Sequence, residues 1–166
     1  MDITVSCDID AEFLGLIQNI LEDCEFKKLG LYTHHLKSTR LLHSLNVSYI
    51  AWALAKKFGW DTSAAARAGL LHDFFLYERA ESEKREFSRC MAFDHPRLAV
   101  RNSIARFGLS DKERHAILSH MFPLGPLPTS REAWAISFAD KICATMEAAR
   151  IPIFLARNNR VVFVAA

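Results

Sequence analysis

Two histidines and two aspartates stand where apolar side chains would be expected. His72 and Asp73 close the run Ala64-Ala65-Ala66-Arg67-Ala68-Gly69-Leu70-Leu71-His72-Asp73, His43 lies upstream, and Asp140 lies far downstream. A carboxylate taken out of water without a partner costs several kcal/mol or gives up its charge. A divalent cation offers both carboxylates and both imidazoles a partner at once. Imidazole and carboxylate donors suit Mn²⁺, Fe²⁺, Ni²⁺, Co²⁺ or Zn²⁺. No thiolate is involved, which argues against a structural zinc site.

Each residue also has a plain reading when taken singly. His43 shares a helical face with Val47, Ile50 and Leu54, where a histidine can be a satisfied core residue. Asp73 can begin a turn. Asp140 has Ala133, Ile136, Ser137, Cys143 and Ala144 as same-face neighbours, and a core-facing arginine would also answer its charge. Adjacent helical residues differ by about 100°, so His72 and Asp73 converge only on a point beside the end of their helix. His95 and His120 join the set, one opening a helix and the other closing one. His34, His35 and His115 read as surface residues.

The elements that must position these groups are consecutive helices. Apolar residues recur every three to four positions, and no alternating pattern is sustained before the tail. The spacing predicts helices over 10–28, 39–58 and 64–75, the last capped by Asp61-Thr62-Ser63. A helix begins at His95-Pro96 and stops at Gly108, with proline suited to the first turn. Ser110-Asp111-Lys112-Glu113 is a capping box opening a helix to about 121, and Ser130 caps a last helix to about 150. Pro123-Leu124-Gly125-Pro126-Leu127-Pro128 is a connection. Residues 78–90 are dense in charge and read as a solvated loop or short exposed helix. Val161-Val162-Phe163-Val164 reads as a short strand or a helical turn. The expected fold is all-α, one helical bundle over 1–166 with its core at 38–150, an N-terminal helix within 1–30 and a tail at 151–166.

Composition narrows the function classes. The net charge is +2, with 51% hydrophobic and 24% charged residues, which is ordinary globular composition. Scattered lysines and arginines give no basic stripe for a nucleic-acid polymer. No stretch approaches the roughly 18 apolar residues that span a bilayer, and no signal peptide is visible. Cys7, Cys24, Cys90 and Cys143 form no close pair and read as reduced thiols. The expected location is the cytoplasm. Trp52, Trp60, Trp134, Phe163 and Val164 are assigned first to core packing and second to a homodimer surface.

The ordered set His43…Gly69-Leu70-Leu71-His72-Asp73…Ala139-Asp140-Lys141 resembles the HD superfamily of metal-dependent phosphohydrolases over about 38–147. The resemblance implies a first metal bound by His43, His72, Asp73 and Asp140. In the two-metal branches, His95 and His120 fall where second-metal ligands stand, with Asp73 bridging. One or two divalent ions per chain, Mg²⁺ now included, are therefore expected. His72-Asp73-Phe74-Phe75-Leu76-Tyr77, Phe93-Asp94-His95-Pro96 and His120-Met121-Phe122-Pro123-Leu124 are similar to small bacterial HD proteins of unassigned substrate. The HD-GYP branch carries a lysine soon after His-Asp and a histidine where Met121 stands, together with a Gly-Tyr-Pro motif. Their absence here speaks against cyclic dinucleotide hydrolysis.

The expected activity is metal-dependent hydrolysis of a small phosphate ester or anhydride, a nucleotide in the first instance. His72 and Asp73 carry the catalytic role, Lys141, Arg97 and Arg101 meet the substrate, and 78–89 serves as a lid. The rival expectations are a non-catalytic metal-binding module that senses a ligand, and a purely helical scaffold.

Overall fold

The computed structural model describes residues 10–32, 38–76, 91–149, 154–156 and 160–162. The charged 77–90 segment, with its expected lid, lies outside them, as do His34, His35, Phe163 and Val164. The helices in chain order are α1 (Ala11–Leu21), α2 (Cys24–Lys27), α3 (Arg40–Phe58), α4 (Thr62–Leu71), α5 (Met91–Phe107), α6 (Asp111–Ser119) and α7 (Arg131–Ala148). A 3-10 turn, Lys28–Leu31, follows α2. The all-α bundle is joined by a small antiparallel ribbon, β1 (Phe154–Ala156) with β2 (Arg160–Val162), in the register Phe154 opposite Val162. Of the expected strand or helical turn at 161–164, Val161 and Val162 take the strand form and 163–164 lie outside the described residues.

Helix α3 is the central rod, packed against both α4 and α7, while α6 packs on α7, α4 and α5. The α3–α4 contact is close because α4 presents small residues. Ala64, Ala65, Ala66 and Ala68 are buried, and a Cβ on Gly69 would lie 2.8 Å from the Cα of Ser48. The Ser48 hydroxyl donates to the Ala66 carbonyl at 2.7 Å, so the two backbones are joined as well as packed. This contact fixes how far along α3 the end of α4 lies.

Three boundaries differ from the sequence expectation. The first helix breaks at Asp23, whose carboxylate accepts from the Glu25 and Phe26 amides at 2.9 Å and caps α2. Helix α4 stops at Leu71, leaving His72 and Asp73 in the turn beyond it. Helix α5 starts one turn earlier than His95-Pro96, at Met91, so Pro96 lies inside it. The Ser110–Glu113 capping box and the Ser130 cap form as their residue types require. At the end of α3, Gly59 adopts φ 66°, the left-handed cap that glycine takes without strain.

Candidate metal centre

Two histidines occupy equivalent places in two helices. His72 immediately follows α4 and His120 immediately follows α6, and each bends its ring back onto its own helix. The Nδ1 of His72 meets the Gly69 carbonyl at 2.8 Å, and that of His120 meets the Ile117 carbonyl at 2.7 Å. A helix leaves its last carbonyls without intrahelical donors, so these contacts satisfy both partners. They put the proton on Nδ1 and present the Nε2 lone pair outward, as a metal ligand requires. The negative ends of two helix dipoles also meet here, which favours a cation.

Around these rings, α3 brings His43, α5 brings His95 and α7 brings Asp140. The Nε2 of His43 is 3.1 Å from Oδ1 of Asp140, and the Nε2 of His72 is 3.7 Å from the same oxygen. Asp73 divides its oxygens. Oδ2 lies 3.7 Å from His72 Nε2, while Oδ1 lies 3.5 Å from His95 Nε2 and 3.9 Å from His120 Nε2. The two Nε2 atoms of His95 and His120 are 2.9 Å apart. Donors sharing an ion at about 2.0–2.2 Å stand roughly 2.8–4.4 Å from one another, depending on the angle between them, so these separations suit coordination. Two groups result, His43-His72-Asp73 and Asp73-His95-His120, each with donor atoms within 4.8 Å of one another.

The buried polar atoms supply a test of fit. The Nε2 of His72 is fully buried with no hydrogen-bond partner, a costly arrangement for an acceptor unless a cation answers it. The charges agree. Burial alone would strip His43 of its proton, but the Asp140 and Glu147 carboxylates outweigh it and raise its pKa from 6.5 to about 10. Burial also works against the Asp140 carboxylate, yet the hydrogen bond and charge of His43 hold it well below the usual range. His120 is lowered from 6.5 to about 3, by burial first and then by His72 and His95, and stays neutral. The carboxylates thus draw positive charge to His43, while burial and the neighbouring imidazoles leave His120 a lone-pair donor.

Several supporting residues escaped the sequence reading. Both oxygens of Glu147 stand 3.2 Å from His43 Nδ1, and the Ser38 hydroxyl donates to Glu147 Oε2 at 3.0 Å. Glu147 is seven residues beyond Asp140 on α7, and that spacing was its available signal. The strand of chain after Asp73 is tied down by two donors. Arg40 donates to the Phe75 carbonyl at 2.7 Å and stacks 3.8 Å from its ring centre, and Asn102 donates to the Phe74 carbonyl at 2.9 Å.

The residues expected to meet substrate lie differently from one another. The Lys141 ammonium donates to the His120 carbonyl at 3.1 Å and to the Ser137 hydroxyl at 2.9 Å. Burial pulls its pKa below the ordinary lysine value. Arg97 and Arg101 are exposed, with Arg97 4.0 Å from Asp94. His115 is half-buried and accepts the Thr129 amide at 3.1 Å. Trp52 is buried, Trp60 partly so, and Trp134 exposed.

The family model of the HD domain matches residues 40–145, from the start of α3 to within the last turn of α7. The chain belongs to the HD-domain family. A curated relative is the deoxyguanosinetriphosphate triphosphohydrolase-like protein of Bradyrhizobium sp. (strain ORS 278), 34% identical over 104 residues. The alignment covers 54% of this HD protein but 27% of the relative, so the chain spans about a quarter of that protein's length. Among the described residues, no helix is long and apolar enough to cross a membrane.

Proposed function

We propose that this HD protein is a metal-dependent phosphohydrolase acting on a small phosphate ester or anhydride, with a nucleotide as its substrate. The observation that carries this reading is the division of Asp73, whose Oδ2 faces His72 while its Oδ1 faces His95 and His120. A structural metal site needs one closed set of donors; a carboxylate shared between two sets suits a pair of ions that grip a phosphoryl group. The nucleotide assignment leans on the relative, a deoxyguanosinetriphosphate triphosphohydrolase-like protein by name.

In this reading His43, His72, Asp73 and Asp140 hold a first divalent ion, and Asp73, His95 and His120 hold a second. Mn²⁺, Fe²⁺, Co²⁺, Ni²⁺, Zn²⁺ and Mg²⁺ are the candidates. The bound metal supplies Lewis acidity and lowers the pKa of water from near 16 toward about 7. Asp73, with one oxygen toward His72 and the other toward His95 and His120, would orient the attacking water together with His72. Glu147 holds the His43 ring in register by accepting from Nδ1. Arg97 and Arg101 supply exposed cations at the α5 rim for the substrate's remaining negative charge.

The test is turnover by purified protein supplied with Mn²⁺ or Fe²⁺. A panel of nucleotides, dinucleoside polyphosphates and generic phosphodiesters separates the substrate classes. Hydrolysis that disappears in His72→Ala and Asp140→Ala supports the enzyme. Ion binding without turnover across the panel favours the second reading, a ligand-sensing module. One observation speaks for that alternative: the Lys141 ammonium is engaged within the protein, not held out toward a phosphate.

A further inference from the structure

We infer that Lys141 is a positioning residue for the second ion, acting through the backbone of His120. This rests on the two-ion reading above. Lys141 lies next to Asp140 in sequence, yet the two side chains serve different groups. Asp140 turns to His43 and His72, whereas the Lys141 ammonium donates to the carbonyls of His120 and Ser137, both at 3.1 Å. It also meets the Ser137 hydroxyl at 2.9 Å, and that hydroxyl itself donates to the His120 carbonyl at 2.9 Å. Two donors therefore converge on one acceptor, the carbonyl of the residue that ends α6.

That acceptor has a special place. The His120 carbonyl lies beyond the last turn of α6, where no intrahelical amide reaches. Its direction sets the peptide plane from which the His120 ring departs, and the ring is then fixed by its Nδ1 contact with Ile117. Removing the clamp leaves the ring bonded to its own helix but frees that helix end from α7. The helix that supplies Asp140 to the first group thus also sets the position of His120 in the second.

Electrostatics alone predicts the opposite sign. A lysine ammonium near a dication repels it, so removal of the charge should tighten the second ion if charge were what mattered. Positioning predicts that it loosens. Outer-shell partners typically change metal affinity by about 10–100-fold, well above the resolution of a titration.

The experiment is Mn²⁺ titration of the full chain, read as ions per chain by elemental analysis and as the magnetic coupling of a manganese pair by electron paramagnetic resonance. Wild type is expected to take two ions and show the coupled signal. Lys141→Met is expected to weaken the second ion about 10–100-fold, leave the first unchanged and replace the coupled signal by that of isolated ions. Lys141→Arg, which can still donate to the His120 carbonyl, should restore the pair in part. Ser137→Ala removes one of the two donors and should weaken the second ion less than Lys141→Met does. Unchanged or tighter second-ion binding in Lys141→Met overturns the inference. If that variant does not fold by circular dichroism, Ser137→Ala decides: selective loosening of the second ion supports the clamp, and no change overturns it. A wild type that saturates at one ion overturns the two-ion reading and this inference with it; two ions with an unaffected Lys141 variant overturns the inference alone.

Discussion

The two halves of the site hold similar donors in unlike electrostatic settings. Around His43, the Asp140 and Glu147 carboxylates and the shared Asp73 surround two imidazoles. Around His95 and His120, Asp73 is the carboxylate that the two rings meet, and the rings approach to 2.9 Å. The consequence is visible in two buried histidines with the same ordinary pKa. His43 is driven up to about 10 and His120 down to about 3. Burial disfavours the charge on both; the Asp140 and Glu147 carboxylates outweigh it at His43, whereas His72 and His95 add to it at His120. Three carboxylates near the first group also offer a dication more negative charge than one near the second, so the first half should bind its ion tightly and the second half should hold one that exchanges more readily.

The largest expected effect comes from the residue the halves share. Asp73→Ala removes a donor from both groups and should abolish turnover, a loss of about a thousandfold or more for roughly 4 kcal/mol of charge stabilisation. Ion content should fall in both halves. Next come variants confined to one half. Asp140→Ala should release the first ion, and His120→Ala should release the second while the first stays bound. Elemental analysis of dialysed protein separates these outcomes, and equal loss from both variants would break the comparison. Glu147→Gln keeps an acceptor for His43 Nδ1 but deletes the charge. It should weaken the first ion by about 10-fold and spare the second, as competition with a chelator would report.

Residue types and spacing made one layer of this site readable and hid the next. His72-Asp73 at the end of an alanine-rich apolar run, and Asp140 among Ala133, Ile136 and Cys143, are visibly out of place in their surroundings. Their burial explains why: a polar group in an apolar stripe must have a reason to be there. Glu147 did not stand out in this way, and Lys141, singled out by its place beside Asp140, gave no sign of its partner. Each sits in a stretch where charged residues ordinarily face water, and their partners are 104 and 21 positions away in the chain. The break between α1 and α2 was hidden for the same kind of reason. Apolar residues continue at helical spacing through Leu21 and Cys24, and it is the Asp23 side chain, aided by Arg106 from α5 at 2.7 Å, that ends one helix and starts the next. The helical class followed from periodicity, which is local. Which side chains support which ligands is set by packing between distant helices.

The smallest and most selective prediction concerns that packing. Gly69→Ala adds one methyl group where a Cβ would lie 2.8 Å from the Ser48 Cα, a backbone atom that cannot swing aside. Overpacking of this kind costs about 1–3 kcal/mol. Alanine regains up to ~1 kcal/mol in an α-helix interior, so the net loss should be at most about 2 kcal/mol where that gain is full. For a chain of this size that is a fall of up to roughly 8 °C in melting temperature. The displacement also has a direction. It moves the end of α4 away from α3, and with it His72 away from His43, whereas His95 and His120 are carried by α5 and α6. The first ion should therefore loosen several-fold more than the second. A variant that melts lower but loosens both ions equally would mean that the α3–α4 contact stabilises the bundle without tuning the centre.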